Sequence, residues 1–214
     1  MYYDPYYNML AQCYIMQQQN NSSIRVLHAV PNAPAVDVYA NDNIILKNLP
    51  YKEVSSYIPV PSGNYNIKVY PTGKRTNPVI DTDVYIPEKS FYTIAAIGQL
   101  PDISLYPIQE PVSANKTNMA CVRFVHLSPN APAVDIKLPH DTTVFNNIPF
   151  KGIASYTCVP SGTYTFMVTP TGTSNVVLTV PDIKLNSGMF YTIYAVGLVG
   201  ETPTLEALLI TEPR

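Results

Sequence analysis

The chain has 214 residues, a net charge of −2, 13% charged and 46% hydrophobic residues, 17 Tyr, 21 Pro and no Trp. A charge density this low, with no run of like sign, argues against an electrostatic grip on nucleic acid or anionic lipid. No stretch approaches the roughly 20 apolar residues of a membrane helix, so no membrane insertion is expected.

Residues 1–23 hold five of the tyrosines, four glutamines and neither Lys nor Arg. Without a basic start or a long apolar run they are not expected to act as a secretory leader. One reading is an untethered tail rich in amides. The other is an assembly arm made of Tyr2, Tyr3, Tyr6, Tyr7, Met9, Leu10, Cys13 and Met16. Tyr6, Met9, Leu10, Cys13 and Met16 would share one helix face, and an extended arm could add a strand to a sheet edge.

From Arg25 the chain is one unit written twice. R-V-L-H-A-V-P-N-A-P-A-V-D returns from Arg123 as R-F-V-H-L-S-P-N-A-P-A-V-D; residues 51–73 match 150–172, and F-Y-T-I-A-A-I-G from Phe91 matches F-Y-T-I-Y-A-V-G from Phe190. The offset changes from 98 to 99 between Lys137 and Pro149. One extra residue there predicts a surface loop or bulge. The predicted organisation is an arm over 1–23, a first domain over 24–113 and a second over 114–214, with a polar linker over 109–118.

Short apolar segments punctuated by Pro, Gly, Asn and Asp predict an all-β fold of two tandem antiparallel β-sandwiches. Predicted strands in the first unit are 24–29, 35–39, 54–59, 64–70, 79–86, 91–97 and 103–108, repeated in the second. Tyr65, Ile67 and Val69 alternate with Asn64, Asn66 and Lys68, as do Tyr164, Phe166 and Val168 with Thr163, Thr165 and Met167, so one face of each strand is expected in a core. Pro61-Ser62-Gly63, Pro71-Thr72-Gly73 and their repeats, Pro160 to Gly162 and Pro170 to Gly172, suit turns, with Pro in the first central position and Gly where φ is positive. Phosphate binding by these glycines is not expected, because no helix and no Gly-Lys-Ser/Thr follows.

The repeated pairs His28 with Asp37 and His126 with Asp135 resemble a fragment of a triad or a metal site. No positioned nucleophile accompanies them, since Ser128 is matched by Val30 and no G-x-S-x-G occurs, and His140 has no counterpart to complete a ligand set. Catalytic, metal and cofactor residues are therefore expected to be none. The expected role of His28, Asn32, Asp37, His126, Asn130 and Asp135 is structural: His and Asp tie down the Pro-Asn-Ala-Pro turn and the asparagines cap it. Cys13, Cys121 and Cys158 form no C-x-x-C, so neither zinc nor redox chemistry is expected. Cys158 reads as a small core residue, and Cys13 or Cys121 as a route to an intermolecular disulfide.

The string V-x-H-A-x-P-N-A-P-A-V-D-V-Y, with the P-S-G-x-Y turn and F-Y-T-I-A-A-I-G, resembles the bacterial domain of unknown function 4397 over residues 24–111 and 122–212. The resemblance implies an immunoglobulin-like sandwich, without established site residues, in cell-envelope or spore-associated proteins that are often secreted. The expected function is a non-enzymatic structural or adhesive protein of a bacterial surface or spore, reached without a secretory leader and otherwise cytoplasmic. It would associate with itself or with other surface proteins through its arm and sheet edges. The alternative is a glycan or other ligand-binding module, with Tyr39, Tyr70 or Tyr106 stacking on sugar rings.

Overall fold

The structure, a computed structural model, describes residues 21–113 and 118–212. The arm residues Tyr2, Tyr3, Tyr6, Tyr7, Met9, Leu10, Cys13 and Met16 lie outside the described residues. The chain divides into two compact units. One takes in the described residues up to Leu27 with Pro34–Ala95 and Pro107–Val112; the other takes in His28–Ala33, Ala96–Tyr106 and the described residues from Ser113 onward.

Each repeat forms eight strands. In the first they are β1 (Ser22–His28), β2 (Val36–Ala40), β3 (Asn43–Leu49), β4 (Ile58–Val60), β5 (Gly63–Pro71), β6 (Ile80–Ile86), β7 (Phe91–Gln99) and β8 (Asp102–Gln109). In the second they are β9 (Ala120–His126), β10 (Val134–Leu138), β11 (Thr142–Ile148), β12 (Thr157–Val159), β13 (Gly162–Pro170), β14 (Leu178–Leu185), β15 (Phe190–Val196) and β16 (Glu206–Glu212). They build two four-stranded sheets per repeat, ordered β4-β1-β7-β8 with β3-β2-β5-β6, and β12-β9-β15-β16 with β11-β10-β13-β14. The fold is an all-β tandem of sandwiches.

Four details differ from the sequence reading. β3 was not predicted, because Asn43, Ile44, Lys47 and Asn48 are exposed and break any clean alternation of apolar and polar residues. β4 is a three-residue edge strand instead of the longer 54–59, with Val54 joined to Leu27 by an isolated bridge. β8 continues through Gln109 and Glu110 is buried, so the polar segment from 109 begins inside the fold. The sandwich is also not wholly antiparallel: β9 runs parallel to β15 from Cys121 against Phe190 to His126 against Ala195. A parallel pair needs a long crossover, and the whole second sheet of the repeat supplies it.

Inward alternation builds the core. In the second repeat Val122 and Phe124 of β9, Ile136 of β10, Phe166 and Val168 of β13, Leu185 of β14 and Ile193 of β15 pack into one buried cluster. β9 and β15 are buried on both faces, as Val125 and Tyr194 show, which agrees with their near-continuous apolar sequences. In the first repeat Val36, Val38, Ile67, Val69 and Ile86 hold the corresponding inward positions.

The turns follow residue chemistry. Asn41 and Asp42, both left-handed at φ 48 and 63, join β2 to β3, as a two-residue hairpin requires. The extra residue of the second repeat falls in the matching turn, where Pro139–Asp141 make a single 3-10 turn with His140 and Asp141 left-handed. At Pro71 to Lys74 the Lys74 N–H donates to the Pro71 carbonyl at 3.0 Å, so Pro opens the turn and Gly73, at φ 77, takes its third position. Gly172 repeats this at φ 77. Gly197, at φ 86, differs because a Cβ there would meet the Thr204 backbone.

These glycines give a graded prediction. A Cβ at Gly73 or Gly172 meets nothing within 4 Å, so alanine at either position costs only the left-handed backbone, about 1–2 kcal/mol. Gly197→Ala adds a backbone clash and destabilises more. Urea unfolding of the three variants is expected to rank Gly197→Ala last.

Candidate functional site

Asp37 leaves β2 on its outward side, yet it is buried because two loops close over it. Its Oδ1 accepts the Asn48 N–H at 2.8 Å and the Thr72 hydroxyl at 3.3 Å, and its Oδ2 accepts the Gly73 N–H at 3.0 Å. Asp135 repeats the arrangement with Asn147 at 2.7 Å, Thr171 at 3.0 Å and Gly172 at 3.3 Å. Asn48 and Asn147 are left-handed, at φ 53 and 52, which turns their N–H groups inward to the carboxylate. The aspartates therefore fasten the end of the third strand and the Pro-Thr-Gly turn, not the Pro-Asn-Ala-Pro turn expected from sequence. The reason is directional: a residue on the outward face of β2 lies beside its sheet neighbours β3 and β5.

The histidines do hold the Pro-Asn-Ala-Pro turn. The Val30 N–H donates to Nδ1 of His28 at 3.4 Å, and the Ser128 N–H to Nδ1 of His126 at 3.3 Å. With Nδ1 accepting, the ring proton of His126 sits on Nε2, 3.1 Å from the Pro132 carbonyl oxygen. His and Asp thus serve separate turns, and the triad-like pairing suggested by their spacing is not formed. Asn32 has a left-handed backbone, φ 63, but its amide donates to the Thr202 carbonyl at 2.8 Å instead of capping its own turn. Asn130 reaches away from its own turn: its amide donates to the Val199 carbonyl at 3.1 Å and its oxygen accepts the Val199 N–H at 2.9 Å.

A buried cation in each repeat escaped the sequence reading. Arg25 donates through Nε to the Thr93 hydroxyl at 2.9 Å, lies 3.5 Å from the Glu110 carboxylate and stacks 4.8 Å over the Tyr57 ring. Thr93 in turn donates to Glu110 at 2.6 Å. Arg123 repeats the contacts with Thr192 at 3.0 Å and the Tyr156 ring at 4.7 Å. Arg123, Thr192 and Tyr156 stand at the repeat offset from Arg25, Thr93 and Tyr57, whereas that offset places Leu209 against Glu110, so the duplication itself carried most of the signal.

The cysteines need correction. Cys158 is exposed on β12 instead of lying in the core, and it is disulfide-bonded to buried Cys121 of β9, directly opposite in register with Cα atoms 3.9 Å apart. Cys121 is therefore engaged within the chain instead of between chains. Ser23 and Pro59 oppose each other at the same place in the first repeat, so the link is peculiar to the second. Among the tyrosines named for sugar stacking, Tyr70 is buried and Tyr39 carries Arg75 on its ring, while Tyr106 is half-buried. Among the described residues no three His, Cys, Asp or Glu come together as a metal site.

The charge states set a pH response. Burial alone would raise the Asp37 and Asp135 carboxyls, but the backbone N–H and hydroxyl donors, with Lys47 or Lys137, outweigh it and hold both below the ordinary 3.8. Burial lowers His126 below its ordinary 6.5, with the Pro132 carbonyl opposing. In the window below 6.5 the unfolded chain takes up a proton that folded His126 resists, so stability falls as pH drops through that window and is flat above it. The aspartates contribute fully above about 3.8, and that contribution is lost as pH falls through their folded values. His126→Gln is expected to remove the first loss and keep the second, at a cost of about 1–3 kcal/mol near neutrality; urea midpoints across pH 3–8 check both. Separately, reducing the 37-residue disulfide loop, or Cys121→Ser with Cys158→Ser, should lower stability by about 2–4 kcal/mol in denaturant unfolding.

Comparison with known structures returns distant likenesses. The family 26 carbohydrate-binding module of Eubacterium rectale Amy13K, solved in complex with maltoheptaose, is 10% identical over 91% of this chain and 98% of that chain, with a TM-score of 0.28. The Bacillus anthracis TIE protein is 11% identical over 84% of this chain and 33% of its own, at 0.27. A candidate cell adhesion protein of Bacteroides fragilis is 11% identical over 89% and 97%, at 0.23. No curated protein matches. The profile described as domain of unknown function DUF4397 matches residues 22–137 and again 139–214. With the two repeats both matched along nearly their whole length, the chain belongs to the DUF4397 family as a tandem of two such domains.

Proposed function

We propose that this protein is a non-catalytic component of a bacterial surface, structural or adhesive, that works through contacts. The observation that carries the reading is the use made of the repeated His and Asp: both repeats commit them to backbone N–H groups, and Asp37, Asp135, His28 and His126 are all buried. Side chains spent in this way stabilise a framework instead of attacking a substrate. The intrachain disulfide suits an oxidising setting outside the cytosol.

Assembly on a spore or cell layer is the finer part of the proposal. The sheet edges differ in what they offer an added strand. β6 pairs with β5 in unbroken register from Ile80 to Ile86, whereas β14 is interrupted by a register shift beside Pro181 and left-handed Asp182. Pro and a bulge blunt an edge, while a regular edge accepts another chain. β6 is the edge we assign to the arm of a neighbouring copy, with Asp81, Asp83 and highly exposed Tyr85 on its surface. A ligand-binding reading is favoured at the cleft above Asp37.

Two measurements check the proposal. Antibody labelling of intact cells and spores is expected to reach the protein, and a pool found only in the cytosol would sink the surface assignment. Sizing at high concentration is expected to give larger species for the full chain than for residues 21–214. Replacing Val84 of β6 with Pro should reduce the larger species while both domains stay folded; equal sizes for all three proteins would end the assembly part.

A further inference from the structure

The loops fastened by Asp37 enclose a cleft of about 380 Å³ in the first repeat, within the size range of small-molecule sites. Its framework is Asp37, Asn48, Thr72 and Gly73, and the same four residue types recur in the second repeat as Asp135, Asn147, Thr171 and Gly172 with the same hydrogen bonds. Its rim does not recur. Lys47, Lys74 and Arg75 line the first cleft, and Asn146, Thr173 and Ser174 stand at the matching positions of the second repeat. Since the second repeat folds the same framework with neutral residues there, folding does not require the three cations.

Arg75 is held ready. Its guanidinium lies 4.7 Å over the Tyr39 ring and donates to the Asp42 carbonyl at 3.0 Å, while Tyr39 is braced edge-on by Tyr70 at 5.4 Å. A guanidinium stacked on an aromatic ring keeps further N–H donors for a planar oxyanion. In the second repeat Lys137 replaces Tyr39 and pairs with Asp141 at 2.8 Å, so this brace is also absent. Lys47 and Lys74 are exposed beside it. The one carboxylate lining the cleft, Asp37, faces its own three donors, and the neighbouring Asp42 carboxylate, which also feels Arg75, is paired with Lys68 at 2.9 Å, so both anions have partners of their own.

We propose that this cleft binds an anionic group, carboxylate or phosphate, carried on a saccharide. The cations take the charge, and the Asn48 amide and the exposed backbone of the Thr72-Gly73 turn offer neutral hydrogen bonds to hydroxyls. Nucleic acid fits less well, because the cations are confined to one cleft of sugar size and the chain carries net charge −2. The proposal adds a ligand to one repeat and stands whether or not the protein assembles through its arm.

The test is calorimetric titration of the full chain with trigalacturonate, glucose 1-phosphate, neutral maltotriose and inorganic phosphate. Trigalacturonate or glucose 1-phosphate, or both, is expected to bind at one site, weakening several-fold between about 50 and about 300 mM NaCl. Which of the two binds tells carboxylate from phosphate. The triple variant Lys47→Asn, Lys74→Thr, Arg75→Ser installs the second repeat's residues; it should unfold at the same urea midpoint as the parent and lose binding at least about tenfold, since charge-assisted hydrogen bonds disappear. Lys137→Ala with Lys151→Ala, in the second repeat, should leave binding unchanged. Maltotriose binding as tightly, inorganic phosphate competing as well as the sugars, a folded triple variant with full affinity, or no binding by either anionic sugar would each overturn the proposal.

Discussion

A buried carboxylate that accepts three hydrogen bonds holds each sandwich of this protein in its working shape. Asp37 and Asp135 join three pieces of chain that are distant in sequence: the second strand, the left-handed end of the third, and the turn after the long strand β5 or β13. Asn48 adopts a left-handed conformation that costs free energy by itself, whereas Gly73 reaches its φ of 77 without a side-chain clash. The carboxylate offsets the cost at Asn48 and draws in Gly73, because both N–H groups find a charged acceptor and charge-assisted bonds are the stronger kind. Removing the acceptor would leave inward N–H groups unsatisfied, at about 1–3 kcal/mol each where buried.

The same logic extends to the other buried polar groups. Arg25 lies inside the first repeat between a hydroxyl, a carboxylate and an aromatic face, so its charge is paired and its plane is stacked. A buried ion pair adds little net stability over an apolar substitute, but losing one partner is costly. Such a cluster specifies one arrangement of β1, β7 and the end of β8 instead of merely favouring compactness. His126 does similar work with neutral groups, and its response to acid begins before that of the aspartates because the unfolded imidazole takes up a proton below 6.5, well above the carboxyl range.

Duplication separates framework from specialisation within a single molecule. Residues that both copies need for turns and core are found twice, and the physical role of each can be checked in two environments. What differs between the copies is free of that requirement: a disulfide where the first repeat has Ser23 and Pro59, a longer turn at Pro139–Asp141, and a cationic rim around only one cleft. The disulfide anchors a three-residue edge strand, as short as its counterpart β4, which has no such link.

The all-β fold, the tandem organisation and the position of the extra residue were legible from sequence, because period-two alternation, Pro/Gly punctuation and a constant repeat offset are local or self-referential signals. That no positioned nucleophile recurs with His28 and Asp37 was also legible, since Ser128 is matched by Val30. Their partners were not: strand neighbours are set by pairing across the sheet, so Asp37 meeting Thr72 and Gly73, 35 and 36 residues away, depends on β2 lying beside β5. β3 escaped because Asn43, Lys47 and Asn48 face solvent as polar groups and Ile44 is exposed beside them. The disulfide depended on the register of β12 against β9, and the cleft on β2, β3 and the turn over 72–75 meeting around one carboxylate. Periodicity along the chain determines which face of a strand is buried, but only the assembled sheet decides which side chains stand next to one another.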